Sequence, residues 1–161
     1  MRLPIALGAI LLAFLSLNTP VMSQSLVQVA QKPENNNSNL KRLEMNRQKW
    51  DLQRIDNYRY TLSNHCFCPS EVRGPVIIEV RNGVTISIKN AETGQPVNSQ
   101  PLQEYSTIPK LFDLIQNAIN SGESVLSVKY DRKLGYPTEM TIGDIRVDAG
   151  IITTVSNLQE I

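Results

Sequence analysis

Apolar residues fall into three kinds of spacing along the chain. From Leu3 to Leu17 they are almost continuous. From Leu40 to Asp56 the positions Leu40, Leu43, Trp50 and Ile55, with Met45 and Leu52 beside them, recur near the helical period, and Ser38 or Asn39 stands where a helix cap is expected. Short runs rich in β-branched and aromatic residues follow at Tyr58 to Asn64, Val76 to Arg81 and Val84 to Lys89 and read as strands. Asn82-Gly83 joins the last two and supplies the positive φ angles of a type I′ hairpin. A second helix is predicted over Pro109 to Asn120, preceded by Thr107 and stopped by Gly122, with Ile108, Leu111, Phe112, Ile115, Ala118 and Ile119 forming one apolar face.

Three more strands are predicted at Ser124 to Tyr130, Pro137 to Ile142 and Ile151 to Leu158. The order helix, three strands, helix, three strands predicts an α+β fold with helices packed on one face of an antiparallel sheet. Tyr58-Arg59-Tyr60, Gly74-Pro75 and Val84 to Ile88 have counterparts in Val128-Lys129-Tyr130, Gly135-Tyr136-Pro137 and Ile151 to Val155, which suggests a duplicated unit of a helix plus three strands.

The continuous apolar run changes the expected location of the protein. Arg2, the 15 residues from Leu3 to Leu17 and the small residues up to Ser23 have the form of a secretory signal peptide cleaved after Ser23. The run is shorter than the ~20 residues of a spanning helix, so no stable membrane anchor is expected after cleavage. Residues 24–39, rich in Gln, Asn and Ser, read as a flexible linker, and residues 40–161 as a single domain. The expected destination is the periplasm or the extracellular space.

Charge narrows the partners. The chain holds 16 basic and 15 acidic residues, and loss of Arg2 with the leader leaves it formally neutral. A neutral surface offers no broad positive field, so nucleic acid is not an expected partner. A domain of this length buries roughly two-thirds of its unfolded surface and needs neither metal nor disulfide to fold.

Cys66 and Cys68 are the two cysteines, and export would place them in an oxidising compartment. On a regular strand, residues two apart have Cα atoms ~6.6 Å apart, at the wide end of the ~4.4–6.8 Å that a disulfide accepts. A bond therefore needs a local bend, which Pro69 permits. A structural bridge, a redox-active pair and a soft-metal clamp for a cuprous ion all remain open readings. His65, the only histidine, projects opposite to both cysteines on a regular strand, so joint ligation needs a bulge. No metal site is assigned, and no cofactor is expected.

Other chemistry lacks a pattern. There is no Gly-x-Ser-x-Gly elbow, no HExxH, no glycine-rich phosphate loop and no EF-hand spacing, so no catalytic residue is nominated. Asp131, Asp144 and Asp148 fall in predicted turns, where aspartate hydrogen-bonds nearby amides. Tyr58, Tyr60 and Tyr136 are the candidates for an aromatic binding face, because Tyr58 and Tyr60 share one side of a strand.

The succession Tyr58-Arg59-Tyr60, Cys66-Phe67-Cys68-Pro69, Gly74-Pro75, Arg81-Asn82-Gly83, Thr107-Ile108, Tyr130-Asp131 and Leu134-Gly135-Tyr136-Pro137 resembles the uncharacterised bacterial domain family DUF6174 from about Trp50 to Leu158. The resemblance implies a small exported domain and carries over no catalytic residue. Asp148-Ala149-Gly150 stands where the family pattern is more acidic, so no acidic metal site is carried over. The expected function is an exported, non-enzymatic binding or structural module acting on a protein or small ligand. The alternative is a thiol redox or copper-handling protein using Cys66 and Cys68.

Overall fold

A computed structural model of the chain describes residues 32–161. The expected leader, residues 1–23, and residues 24–31 of the expected linker lie outside the described residues. Helix α1 spans Lys32–Gln53, well ahead of the predicted start at Leu40, so the linker does not extend to residue 39 and neither Ser38 nor Asn39 caps the helix. Buried Leu43 and Trp50 anchor α1, and once a helix is nucleated each further turn costs little. Pro33 sits in the first turn, where the missing N–H breaks no bond.

The remaining elements follow closely from the pattern: β1 (Tyr58–Cys66), a one-turn helix α2 (Ser70–Arg73), β2 (Val76–Arg81), β3 (Val84–Asn90), α3 (Ile108–Ser121), β4 (Leu126–Tyr130), β5 (Pro137–Asp144) and β6 (Ala149–Glu160). Asn82 and Gly83 have φ of 49° and 73°, as the hairpin between β2 and β3 requires. Thr107 Oγ1 accepts the Lys110 N–H at 3.3 Å, and Gly122 ends α3 in the left-handed region at φ 65°. Two 3-10 turns, Gln100–Tyr105 and Ile145–Val147, interrupt segments predicted as loop and strand connection.

All six strands form one antiparallel sheet in the order β3-β2-β1-β6-β5-β4. Residues Tyr58, Tyr60 and Leu62 of β1, Ile78 and Val80 of β2, Met140 of β5 and Val155 of β6 point into one core with Leu43 and Trp50 of α1 and the apolar face of α3. Among the described residues nothing packs on the opposite sheet face, which is lined near the centre by Thr61, Ser63, His65 and Thr154.

The repeated order of elements is not a structural repeat. The halves keep the same lateral order, 3-2-1 and 6-5-4, yet β4 runs opposite to β1. A rotation that reverses strand direction and preserves lateral order turns the sheet over, which would place α1 and α3 on opposite faces. They share one face and one core, joined by the Arg47–Asp113 ion pair at 2.8 Å.

Candidate functional site

The two ends of the sheet are finished differently. At the β4 edge, Arg42 of α1 donates from Nη2 to the Val128 carbonyl at 2.8 Å, and exposed Lys129 pairs with Glu139 of β5 at 2.8 Å. A guanidinium on an edge carbonyl and a lysine alongside it are devices that discourage another chain from pairing there.

At the β3 edge these devices are missing over Val84 to Ser87. The run Val84-Thr85-Ile86-Ser87-Ile88 holds no charge and no proline, and Val84 and Ile86 are 63% and 58% exposed. Register with β2 shifts between Glu79 and Val80, so Ile86 is the extra residue of a bulge and has no partner on β2. Among the described residues, the outer side of β3 is paired only beyond this stretch. There Lys89 bridges Pro96, Val97 N–H donates to the Ile88 carbonyl at 3.2 Å, and Asn90 N–H donates to the Gln95 carbonyl at 2.9 Å.

After Val97 the chain leaves the edge and enters the 3-10 turn at Gln100. The departure opens a groove of about 620 Å³ whose floor is the β3 edge and whose wall includes Pro96, Ser99, Gln103 and Lys110. Thr85 Oγ1 donates to the Ser106 carbonyl, which ties the floor to the start of α3. Among the described residues, Lys110 is the only ionisable side chain lining the groove. Its ammonium donates to the Gln103 carbonyl at 2.8 Å and to Ser106 Oγ at 3.1 Å, which leaves one of its three N–H groups for a ligand.

A second feature lies where β1 gives way to α2. Cys66 and Cys68 are disulfide-bonded with Cα atoms 5.3 Å apart, closer than on a regular strand because β1 ends at Cys66 and the chain bends. Phe67 between them is 86% exposed. Both cysteines, Phe67, Pro69 and Arg73 line a shallow cavity of about 420 Å³. His65 is exposed, on the strand parity opposite to Cys66. Among the described residues no group of three or more His, Cys, Asp or Glu side chains converges.

The aromatic binding face is corrected. Tyr58 and Tyr60 are each 1% exposed, since their side of β1 is the side covered by the helices. Tyr58 Oη accepts the Ile108 N–H at 3.0 Å, satisfying a free donor at the start of α3, and Tyr60 Oη donates to the Tyr105 carbonyl. Burial pushes the Tyr58 phenol up to about 12 and the Tyr60 phenol well above its usual range. Tyr136 is half-buried with its ring edge-on to Trp50 at 6.1 Å, and Trp50 meets Tyr58 at 5.4 Å in the same manner. These rings hold α1 onto the sheet.

Asp131 and Asp144 do what turn chemistry predicts, whereas Asp148 stands in its turn in the left-handed region at φ 55°. Asp131 Oδ1 accepts the N–H groups of Lys133 at 2.9 Å and Leu134 at 2.6 Å. Asp144 accepts the Arg146 N–H at 3.0 Å and its guanidinium at 2.7 Å, and the side-chain hydrogen bond from Arg146 holds the carboxyl down at about 2.

The β3 edge was readable as a strand but not as a site. The lack of charge over Val84 to Ile88 is visible in the sequence, whereas the terminal place of β3 in the sheet depends on β6 pairing with β1 from across the chain.

The sequence profile of the family of unknown function DUF6174 matches residues 42–160, and the chain belongs to that family. No curated protein and no solved structure matches this chain. The family's domain therefore runs from α1 to β6 and includes both the groove and the disulfide loop.

Proposed function

We propose that the protein is an exported, non-enzymatic binding module that engages its partner along the β3 edge and the groove beside it. The observation that carries this reading is the contrast between the guarded β4 edge, where Arg42 covers Val128, and the neutral Val84 to Ser87 stretch of β3 with its exposed Val84 and Ile86. An apolar edge without charge or proline is a liability for a freely diffusing domain and an asset for one that pairs with something. The leader-like residues 1–23 support a location outside the cytoplasm.

Ile86→Lys tests the reading, because Ile86 is exposed and contributes little to the core. In extracts of the native envelope or medium, the wild-type protein is expected to migrate in a larger assembly and Ile86→Lys as a free domain with an unchanged unfolding midpoint. Identical migration of both forms would contradict the reading.

A second reading keeps the thiols. Arg73 lines the same open cavity as Cys66 and Cys68, and a nearby cation favours the thiolate once the bond is reduced. Such a pair could exchange with other thiols or hold a cuprous ion. Equilibration in glutathione buffers tests it: an exchange-active pair changes partner thiols at a rate that Arg73→Ala slows, and Cys66→Ser/Cys68→Ser abolishes both exchange and cuprous binding.

A further inference from the structure

The chain itself shows what the β3 edge accepts. Residues Gln95 to Val97 lie against Lys89 and its neighbours as a short antiparallel segment, with main-chain bonds to Ile88 and Asn90. The same edge continues through Ser87, Ile86, Thr85 and Val84, where among the described residues no strand pairs with it and the Thr85 hydroxyl reaches across to the Ser106 carbonyl, and the groove left by the departing chain follows it. A folded surface of side chains cannot satisfy a row of main-chain donors and acceptors, but an extended backbone can.

We infer, building on the binding function proposed above, that the groove takes an extended peptide segment of a partner protein, added as a strand to β3 and carrying an aliphatic side chain and a carboxylate. The aliphatic side chain matches Val84, Ile86 and Pro96 along the groove. The carboxylate matches Lys110, whose ammonium is held against Gln103 and Ser106 and keeps one donor free. Among the described residues no carboxylate lines this groove, while Glu104 and Asp113 stand with Lys110 in the adjoining cavity, where Asp113 is paired with Arg47.

The test is a titration of the ¹⁵N-labelled domain, residues 24–161, with three synthetic peptides. One alternates valine and threonine and ends in aspartate with a free C-terminus. The second has asparagine in place of aspartate and a C-terminal amide. The third repeats the first with N-methyl groups on alternate residues. The expected result is saturable binding of the first peptide with shifts confined to Val84–Ile88, Ser99, Gln103 and Lys110. The second should bind about 3- to 10-fold more weakly, and the third should not bind, because N-methylation removes main-chain donors. Lys110→Met should erase the difference between the first two peptides.

Equal affinity for the N-methylated peptide would overturn strand addition, and equal affinity for the uncharged peptide would overturn the role of Lys110. Concentration-dependent shifts of Val84–Ser87 with a doubled mass would assign the edge to a second copy of the chain and overturn the peptide proposal. If no peptide binds while Ile86→Lys still frees the domain from its native assembly, the binding function stands and the extended-peptide occupant fails.

Discussion

Thr153 of β6 donates its hydroxyl to the side-chain oxygen of Asn64 on β1 at 2.7 Å, in a part of the core where both residues are almost wholly buried. The Asn64 amide donates in turn to the Val72 carbonyl at 2.8 Å. Asn64 thus links the central strand pair to the loop that carries Cys66, Cys68 and Phe67. The loop is positioned by a buried polar side chain as well as by its disulfide.

Asn64→Leu should therefore destabilise the domain by about 2–4 kcal/mol, because it leaves the Val72 carbonyl and the Thr153 hydroxyl unpaired. Thr153→Val removes one bond and should cost about half as much. Urea unfolding followed by fluorescence of Trp50, 4% exposed in the fold, measures both. Equal stability of Asn64→Leu and wild type would show that the loop is held by the disulfide alone.

The Tyr58 phenol gives the domain an alkaline limit. Its usual value of 10.0 rises to about 12 in the fold, chiefly through burial. A group whose folded value is raised contributes stability that is complete below the unfolded value and lost as pH rises through the folded one. The contribution of this group should thus be level below pH 10 and fall between pH 10 and about 12, by on the order of 2 kcal/mol. Tyr58→Phe should be less stable at neutral pH, since the Ile108 N–H loses its acceptor, and should show a shallower alkaline loss.

Gly135 marks the contact between α1 and the turn from β4 to β5. Its φ is 86°, and a Cβ there would lie 2.6 Å from the Asn46 carbonyl oxygen. Gly135→Ala should cost about 2–4 kcal/mol, from backbone strain and from pushing α1 off the sheet. Gly83→Ala, where a Cβ meets nothing within 4 Å, should cost only the strain of its φ of 73°. Thermal unfolding of the two variants separates these contributions.

Fold class was legible because the period of the apolar residues changes where the structure changes. Ile108 to Ile119 marks a helix face, and Asn82-Gly83 marks a hairpin with no other requirement. The start of α1 was not legible. Asn35-Asn36-Asn37 favours loop by composition, while helix extension from an anchored segment overrides local preference. The roles of Tyr58 and Tyr60 depart from the sequence expectation for a different reason. Alternation shows that they share a face, but which face the helices cover is decided by contacts distant in sequence. For the same reason the candidate site, an edge, could not be located before the strand order was known.

Export and the state of the cysteines can be read together. Intact mass of the protein recovered from cells is expected to correspond to a chain beginning at Gln24. Alkylation should add nothing until reductant is supplied, after which two groups should be added, at Cys66 and Cys68. Cys66→Ser/Cys68→Ser should still fold and lose about 1–2 kcal/mol, the amount set by so short a loop.

The claim on which the rest depends is that β3 presents a working edge. A photo-reactive residue placed in turn at Ile86, at Lys129 on the opposite edge and at Thr154 on the open sheet face, in the protein expressed in its native cell, tests it most directly. Illumination is expected to give a discrete adduct from position 86 and none from 129 or 154. Adducts from 129 or 154 with none from 86 would place the contact surface elsewhere and contradict the account.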